Sequence, residues 1–180
     1  AAFAVPWAKR YGTVALVLRA IDEVLATRVE EALSADIVGE NTPLARAHGT
    51  RFPLVQGPMT HVSDKPELIQ AVAAHGGLPM VALALTRGEN ARSLLRRTSE
   101  LLGDRAWGVG LLGFVPSEVL DEQRAAINDV RPPFAIIAGG RPDQAEPLEH
   151  AGIPTYLHVP SPVLLEQFLE KGSRRFIFEG

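Results

Sequence analysis

The chain has 180 residues, 18 basic and 21 acidic, for a net charge of −3, and its paired arginines at 96–97 and 174–175 are isolated rather than part of a basic stripe that would track a nucleic-acid backbone. It contains no cysteine, which excludes a disulfide framework, thiolate zinc sites and a cysteine nucleophile. No apolar run approaches the roughly 18 residues of a membrane span, and the opening Ala1-Ala2-Phe3-Ala4-Val5-Pro6-Trp7 lacks the basic start and long apolar centre of a signal peptide, so the expected class is a soluble, cytoplasmic globular domain.

Residues 1–50 read differently from the remainder. Leu16, Leu18, Ile21, Val24, Leu25, Val29 and Leu33 recur mostly at three- and four-residue steps with Asp22, Glu23, Arg28 and Glu30 between them, which predicts one or two amphipathic helices. Glu40-Asn41-Thr42-Pro43 breaks the pattern, and the segment is expected to be a helical linker, the tail of a preceding domain, or a lid across the bottom of the following one.

From Phe52 the sequence becomes regular. Apolar runs begin near Pro53, Leu78, Ala106, Pro133, Pro154 and Arg174, at the spacing of strand–helix units. Leu78 to Ala84 and Phe134 to Ala138 are continuously apolar, as parallel strands covered on both faces should be. Capping boxes are expected at Asp64-Lys65-Pro66-Glu67 and Thr86-Arg87-Gly88-Glu89, and Ser161-Pro162 sets a cap before a first-turn proline. Gly76, Gly103, Gly152 and Gly172 stand where helices end in a left-handed residue. The count is six strands with five intervening helices, covering residues 51–180.

Units of this kind curl into a barrel or alternate about an open sheet. Gln56-Gly57-Pro58-Met59-Thr60-His61 offers one glycine instead of a dinucleotide fingerprint, and no Walker motif occurs. The expected fold is therefore α/β, a (β/α)8 TIM-barrel type that is incomplete, since a full barrel needs eight units, and the chain reads as cut from a longer polypeptide.

In such a barrel the C-terminal strand ends face one site. Those ends carry Gln56 to His61, Leu85-Thr86, Gly110 to Gly113, Gly139-Gly140-Arg141, His158 to Ser161 and Glu179-Gly180. Glycines there let backbone amides approach a flat or phosphorylated ligand, and equally they serve ordinary turns. His75 and His150 fall at helix C-termini, where the dipole favours a cation, while His61 and His158 at strand tips could donate to a ligand or move protons. A metal set of His61, His158 and Glu179 could form, but the close histidine pair of barrel metal hydrolases is missing from the first strand, and no metal is expected.

Four segments together carry a resemblance. Pro53-Leu-Val-Gln-Gly-Pro-Met59, Ala73-Ala-His-Gly-Gly77, Trp107-Gly-Val-Gly-Leu111 and Phe176-Ile-Phe-Glu-Gly180 resemble, in order and spacing, the nitronate monooxygenases, formerly 2-nitropropane dioxygenases. The similarity runs from about Arg51 to Gly180. His48-Gly-Thr-Arg-Phe-Pro53 and Ile137-Ala-Gly-Gly-Arg-Pro-Asp143 look like the form embedded in polyketide and polyunsaturated fatty acid megasynthases, where a related flavin barrel is an enoyl reductase.

The resemblance implies FMN as cofactor, a nitronate or enoyl-thioester substrate, and other megasynthase domains as neighbours. It implies that Gln56, Gly57, Pro58 and Met59 line the flavin ring, with Gly110, Gly139, Gly140, Glu179 and Gly180 at other cofactor-facing tips. The family often has Asn where Gly110 stands and Gln where Glu179 stands; its Gly-Gly-His segment and phosphate site would follow Gly180, leaving His158 as the candidate catalytic base in this chain.

Two other classes compete. One is a non-catalytic docking or structural segment of a megasynthase, which Gly110 and Glu179 fit; the other is a phosphate-ligand lyase or isomerase, which would need a lysine or paired carboxylates at the strand tips. The open first and sixth strands of an incomplete barrel are expected to permit association of copies edge to edge.

Overall fold

A computed structural model describes residues 4–178. Two compact units emerge, divided after Gly39.

The first unit is a pair of helices, α1 (Ala4–Tyr11) and α2 (Val14–Ala35), broken at Gly12, whose backbone is left-handed. Thr13 caps α2 by accepting from the Leu16 amide at 3.3 Å. No residue of α2 is buried.

The second unit starts at Glu40 and holds α3 (Pro43–His48), β1 (Val55–Gln56), α4 (Pro66–Ala74), β2 (Leu78–Ala82), α5 (Gly88–Leu102), β3 (Gly108–Leu112), α6 (Ser117–Val130), β4 (Phe134–Ala138), α7 (Pro142–His150), β5 (Thr155–Val159), α8 (Pro162–Glu170) and β6 (Phe176–Phe178). All strand pairs are parallel, and the sheet runs β1-β2-β3-β4-β5-β6 in strict chain order. A doubly wound sheet reverses its strand order at a switch point. This one never reverses, so right-handed crossovers put every intervening helix on the same face and curl the sheet toward the other. The result is an incomplete (β/α) barrel with six strands.

The continuously apolar strands supply both faces. Val81, Val109, Ala135, Ile137, Leu157 and Val159 point outward into a core with Ile69, Leu95, Ile127, Leu148 and Phe168 of the helices. Leu78, Met80 and Ile136 point inward, packed with Phe134, Tyr156 and Ile177. Registered pairs share a face: Ala82 beside Gly110, Gly110 beside Ile136, Ile136 beside Tyr156.

The inner face is covered at its N-terminal end by α3. His48 is 4% exposed; its ring meets Phe134 and Tyr156 edge-on at 5.4 and 5.8 Å, and its Nε2 lies 2.8 Å from the Tyr156 hydroxyl. Burial lowers the pKa of His48 and raises that of Tyr156. Gly76, Gly103, Gly152 and Gly172 all have positive φ at helix ends, as expected.

Two capping expectations fail. The cap positions of α4 and α5 are Lys65 and Arg87, and neither makes a side-chain cap bond. Pro66 occupies the first turn of α4 and starts the helix one residue too late for Asp64 to reach it. Ser161 does cap α8, accepting from the Leu164 amide at 3.3 Å.

Candidate functional site

The C-terminal ends of the strands form a rim, and buried polar side chains hold each of its first four loops in place. After β1, Ser63 accepts from the Met59 amide at 2.8 Å, and its carbonyl takes the Ala82 amide at 3.0 Å, which ties this loop to the end of β2. After β2, Gln123 of α6 donates to the carbonyls of Ala84 at 2.9 Å and Thr86 at 2.8 Å. After β3 and β4, Gln144 of α7 donates to the Gly113 carbonyl at 2.8 Å while its Oε1 accepts from the Arg141 amide at 2.9 Å. Ser63 and Gln123 are fully buried and Gln144 nearly so. A buried amide that satisfies backbone carbonyls fixes a loop without help from a ligand.

The rim also stores backbone strain. His61 in the first loop and Ala84 in the second both have left-handed backbones, with φ of 63° and 47°. Between them opens a cleft of about 400 Å³ whose walls include Thr60, His61, Asp64, Thr86, Arg87 and Asn90. One Asp64 carboxylate oxygen is buried without a partner.

The residues singled out from the sequence fall in distinct places. Gln56 closes β1; its Nε2 bonds the Gly57 carbonyl, and its Oε1 is buried with no partner. Gly57 faces open space, since a Cβ there would meet nothing within 4 Å. Pro58 turns inward and fills the space over Gly110, where a Cβ would overlap the proline ring. Met59 is exposed at the surface.

At Gly139, with φ of 61°, a Cβ would crowd the Phe114 ring at 3.1 Å; at Gly140 it would overlap Ile137. A Cβ at Gly113 would press the Gly139 carbonyl oxygen at 2.6 Å and the Gly140 amide nitrogen at 2.7 Å. The loops after β3 and β4 thus approach one another closely, and this packing by itself requires glycine at 113.

His158 pairs in register with Ile177 and lies two residues beyond Tyr156 on β5, which puts it on the inner face. That position is the rim-side neighbour of the row holding Gly110, Ile136 and Tyr156. Glu179 and Gly180 lie outside the described residues. Among the described residues no three His, Asp or Glu side chains come together as a metal set.

Sequence reasoning missed the three polar pins. Gln123 carried a readable signal, because it interrupts the stripe Val119-Leu120-Ala126-Ile127, which is otherwise apolar and buried. Gln144 sits in the same way beside Ala145 and Leu148.

No family model and no curated protein matches this sequence. Solved structures do share its fold. FabK from Thermotoga maritima aligns with a TM-score of 0.68 at 20% identity, over 78% of this chain and 44% of that one. Nitroalkane oxidase from Streptomyces ansochromogenes aligns with a TM-score of 0.64 at 21% identity, over 76% and 48%. The enoyl reductase domain of MlnA from the macrolactin biosynthesis cluster of Bacillus amyloliquefaciens aligns with a TM-score of 0.60 at 12% identity, over 75% and 37%. The chain spans less than half the length of each of these structures. No helix among the described residues is long and apolar enough to cross a membrane. By fold, then, this chain is similar to FabK, to a nitroalkane oxidase and to the enoyl reductase domain of MlnA.

Proposed function

We propose that the polypeptide carrying this chain is a cytoplasmic FMN-dependent oxidoreductase of the nitronate monooxygenase type, oxidising alkyl nitronates with oxygen. The motif order from Arg51 to Gly180 and the shared fold support this reading. The observation that carries it is local: a buried Gln56 Oε1 without a partner stands beside the open space at Gly57. A buried acceptor left unpaired is costly, and a ring N–H seated against Gly57 would satisfy it. When bound, the flavin supplies the redox chemistry, and the protein's task is to hold it and exclude water.

In this reading the backbone of Gln56 to Met59 lines the ring, with Gly139 and Gly140 at a neighbouring tip and His158 moving protons at the inner rim; the sequence resemblance adds Glu179 and Gly180 as cofactor residues. Gly110 fits differently, since Pro58 takes the space above it and presents the surface there.

A second reading, enoyl-thioester reduction within a megasynthase, is favoured by the fold likeness to the MlnA enoyl reductase domain and by the form of residues 48–53 and 137–143. Other domains of the assembly would then be its partners.

The test is a titration of FMN followed by flavin fluorescence, on this chain and on the full polypeptide that carries it. Turnover of the full polypeptide with an alkyl nitronate is then compared with turnover on an enoyl thioester plus a nicotinamide. Saturable binding that weakens on Gln56→Leu supports the flavin site. A folded full polypeptide that binds no FMN would sink both enzymatic readings and leave the docking role.

A further inference from the structure

The first unit is two helices with an apolar stripe and almost nothing to cover it. Leu18, Leu25 and Val29 are 58, 57 and 56% exposed, and Val14 and Leu33 at the ends of α2 are more exposed still. α1 covers one side only: Trp7 and Tyr11 form a groove with Val17, Ile21, Val24 and Leu25. A unit below about 40 residues seldom builds a sufficient core by itself. Most of the stability of a helix in a protein comes from packing its amphipathic face against a partner.

The order of the stripe identifies the missing surface. Measured from Leu25, Ile21 and Val29 lie four residues to either side, and Leu18 and Ala32 seven. At about 100° per residue these offsets stay within roughly 40° of the Leu25 direction. The stripe is therefore a palindrome centred on Leu25. Two copies of such a helix match when they run antiparallel about a two-fold axis, because residue 25 + k then faces residue 25 − k. Leu25 meets Leu25, Ile21 meets Val29, and Leu18 meets Ala32.

Charge selects the same direction. Residues 1–20 carry Lys9, Arg10 and Arg19 and no acid, whereas residues 21–39 carry Asp22, Glu23, Glu30, Glu31 and Asp36 against Arg28 alone. A parallel pair would set the acidic ends together. About Leu25, an antiparallel pair sets Arg19 level with Glu31 and Asp22 level with Arg28, where a parallel pair would set like charges level, and it opposes the helix dipoles. The ion pairs Arg19–Glu23 at 2.9 Å and Arg28–Glu31 at 2.6 Å lie outside the apolar stripe and leave it free to pack.

We propose that the helical unit before Gly39 is a homodimerisation device, in which α2 packs antiparallel on α2 of a second copy with Leu25 at the two-fold axis.

Sedimentation of the full chain is the first measurement. A dimer at micromolar concentration is expected. Leu25→Glu opposes two carboxylates at the axis and should abolish the dimer while the far-UV spectrum of the sheet unit persists. Because the chain has no cysteine, single substitutions report direction without background. Leu25→Cys should cross-link to itself on mild oxidation, and Leu18→Cys to Ala32→Cys when the two variants are mixed. Leu33→Cys should not self-cross-link, since its copies would lie roughly 24 Å apart along the axis. Three results would overturn the proposal: a monomer at all concentrations, a dimer unmoved by Leu25→Glu (which points to the sheet edges), or self-cross-linking of Leu33→Cys without that of Leu25→Cys.

Discussion

Replacing Gln123 by Met keeps the length of the side chain and removes its hydrogen bonds, so the substitution isolates what the amide contributes to the rim. Gln123 is fully buried and donates to two carbonyls, those of Ala84 and Thr86, at 2.9 and 2.8 Å. Each such bond contributes about 1 kcal/mol net, and a carbonyl left unpaired inside costs about 1–3 kcal/mol more. The loss of Oε1, which has no partner, returns part of that cost. Because the exposed Leu85 lies between the two carbonyls, water can reach the loop and the low end of the range applies. The expected destabilisation is about 2–3 kcal/mol, or a Tm lower by roughly 5–10 °C for a domain of this size. Thermal unfolding by circular dichroism measures the total. Hydrogen exchange measures the place: the Thr86 amide, bonded to the Leu83 carbonyl at 2.7 Å, should lose protection before the strands do. A Tm within 1 °C of the parent and an unchanged Thr86 amide would refute the claim that this side chain holds the rim.

Gly113→Ala must push backbone aside at Gly139 and Gly140 and should cost about 1–3 kcal/mol in urea unfolding, while Gly57→Ala, which meets nothing, should leave packing unaffected. Gly110→Ala should be destabilising in the parent and better tolerated with Pro58→Gly, a coupling that a double-mutant cycle reads directly; additivity would show that the Pro58 ring does not set the limit. His48 gives the fold a pH dependence of known sign. Burial holds its folded pKa below the unfolded value near 6.5, so the unfolded chain binds more protons and stability falls as pH drops through about 6.5 toward the folded pKa. Urea midpoints from pH 7.5 downward should show this slope, and His48→Phe should flatten it between pH 7 and 5.5; an unchanged slope would assign the titration elsewhere.

The period of the strand–helix units, the continuous apolar strands and the helix-ending glycines were all legible in the sequence, because they follow from local backbone rules and from faces that must be dry. The apolar stripe of α2 was legible from its helical period, although no residue of α2 is buried. Where a polar group goes once it is buried was not. Asp64 was expected to cap α4, but the helix starts one residue too late for it. Gln123 and Gln144 interrupt apolar stripes in the sequence, but which carbonyls they meet is decided only when the loops after β2 and β3 are brought to them. His48 finds its partner Tyr156 across 108 residues of sequence. The rim glycines show the division most clearly. Sequence marked them as positions where backbone could approach something, and only the assembled sheet decided what: the Pro58 ring at Gly110, the next loop at Gly113, and open space at Gly57. Close approach is set by how adjacent loops are stacked, and that stacking depends on residues far apart in the chain.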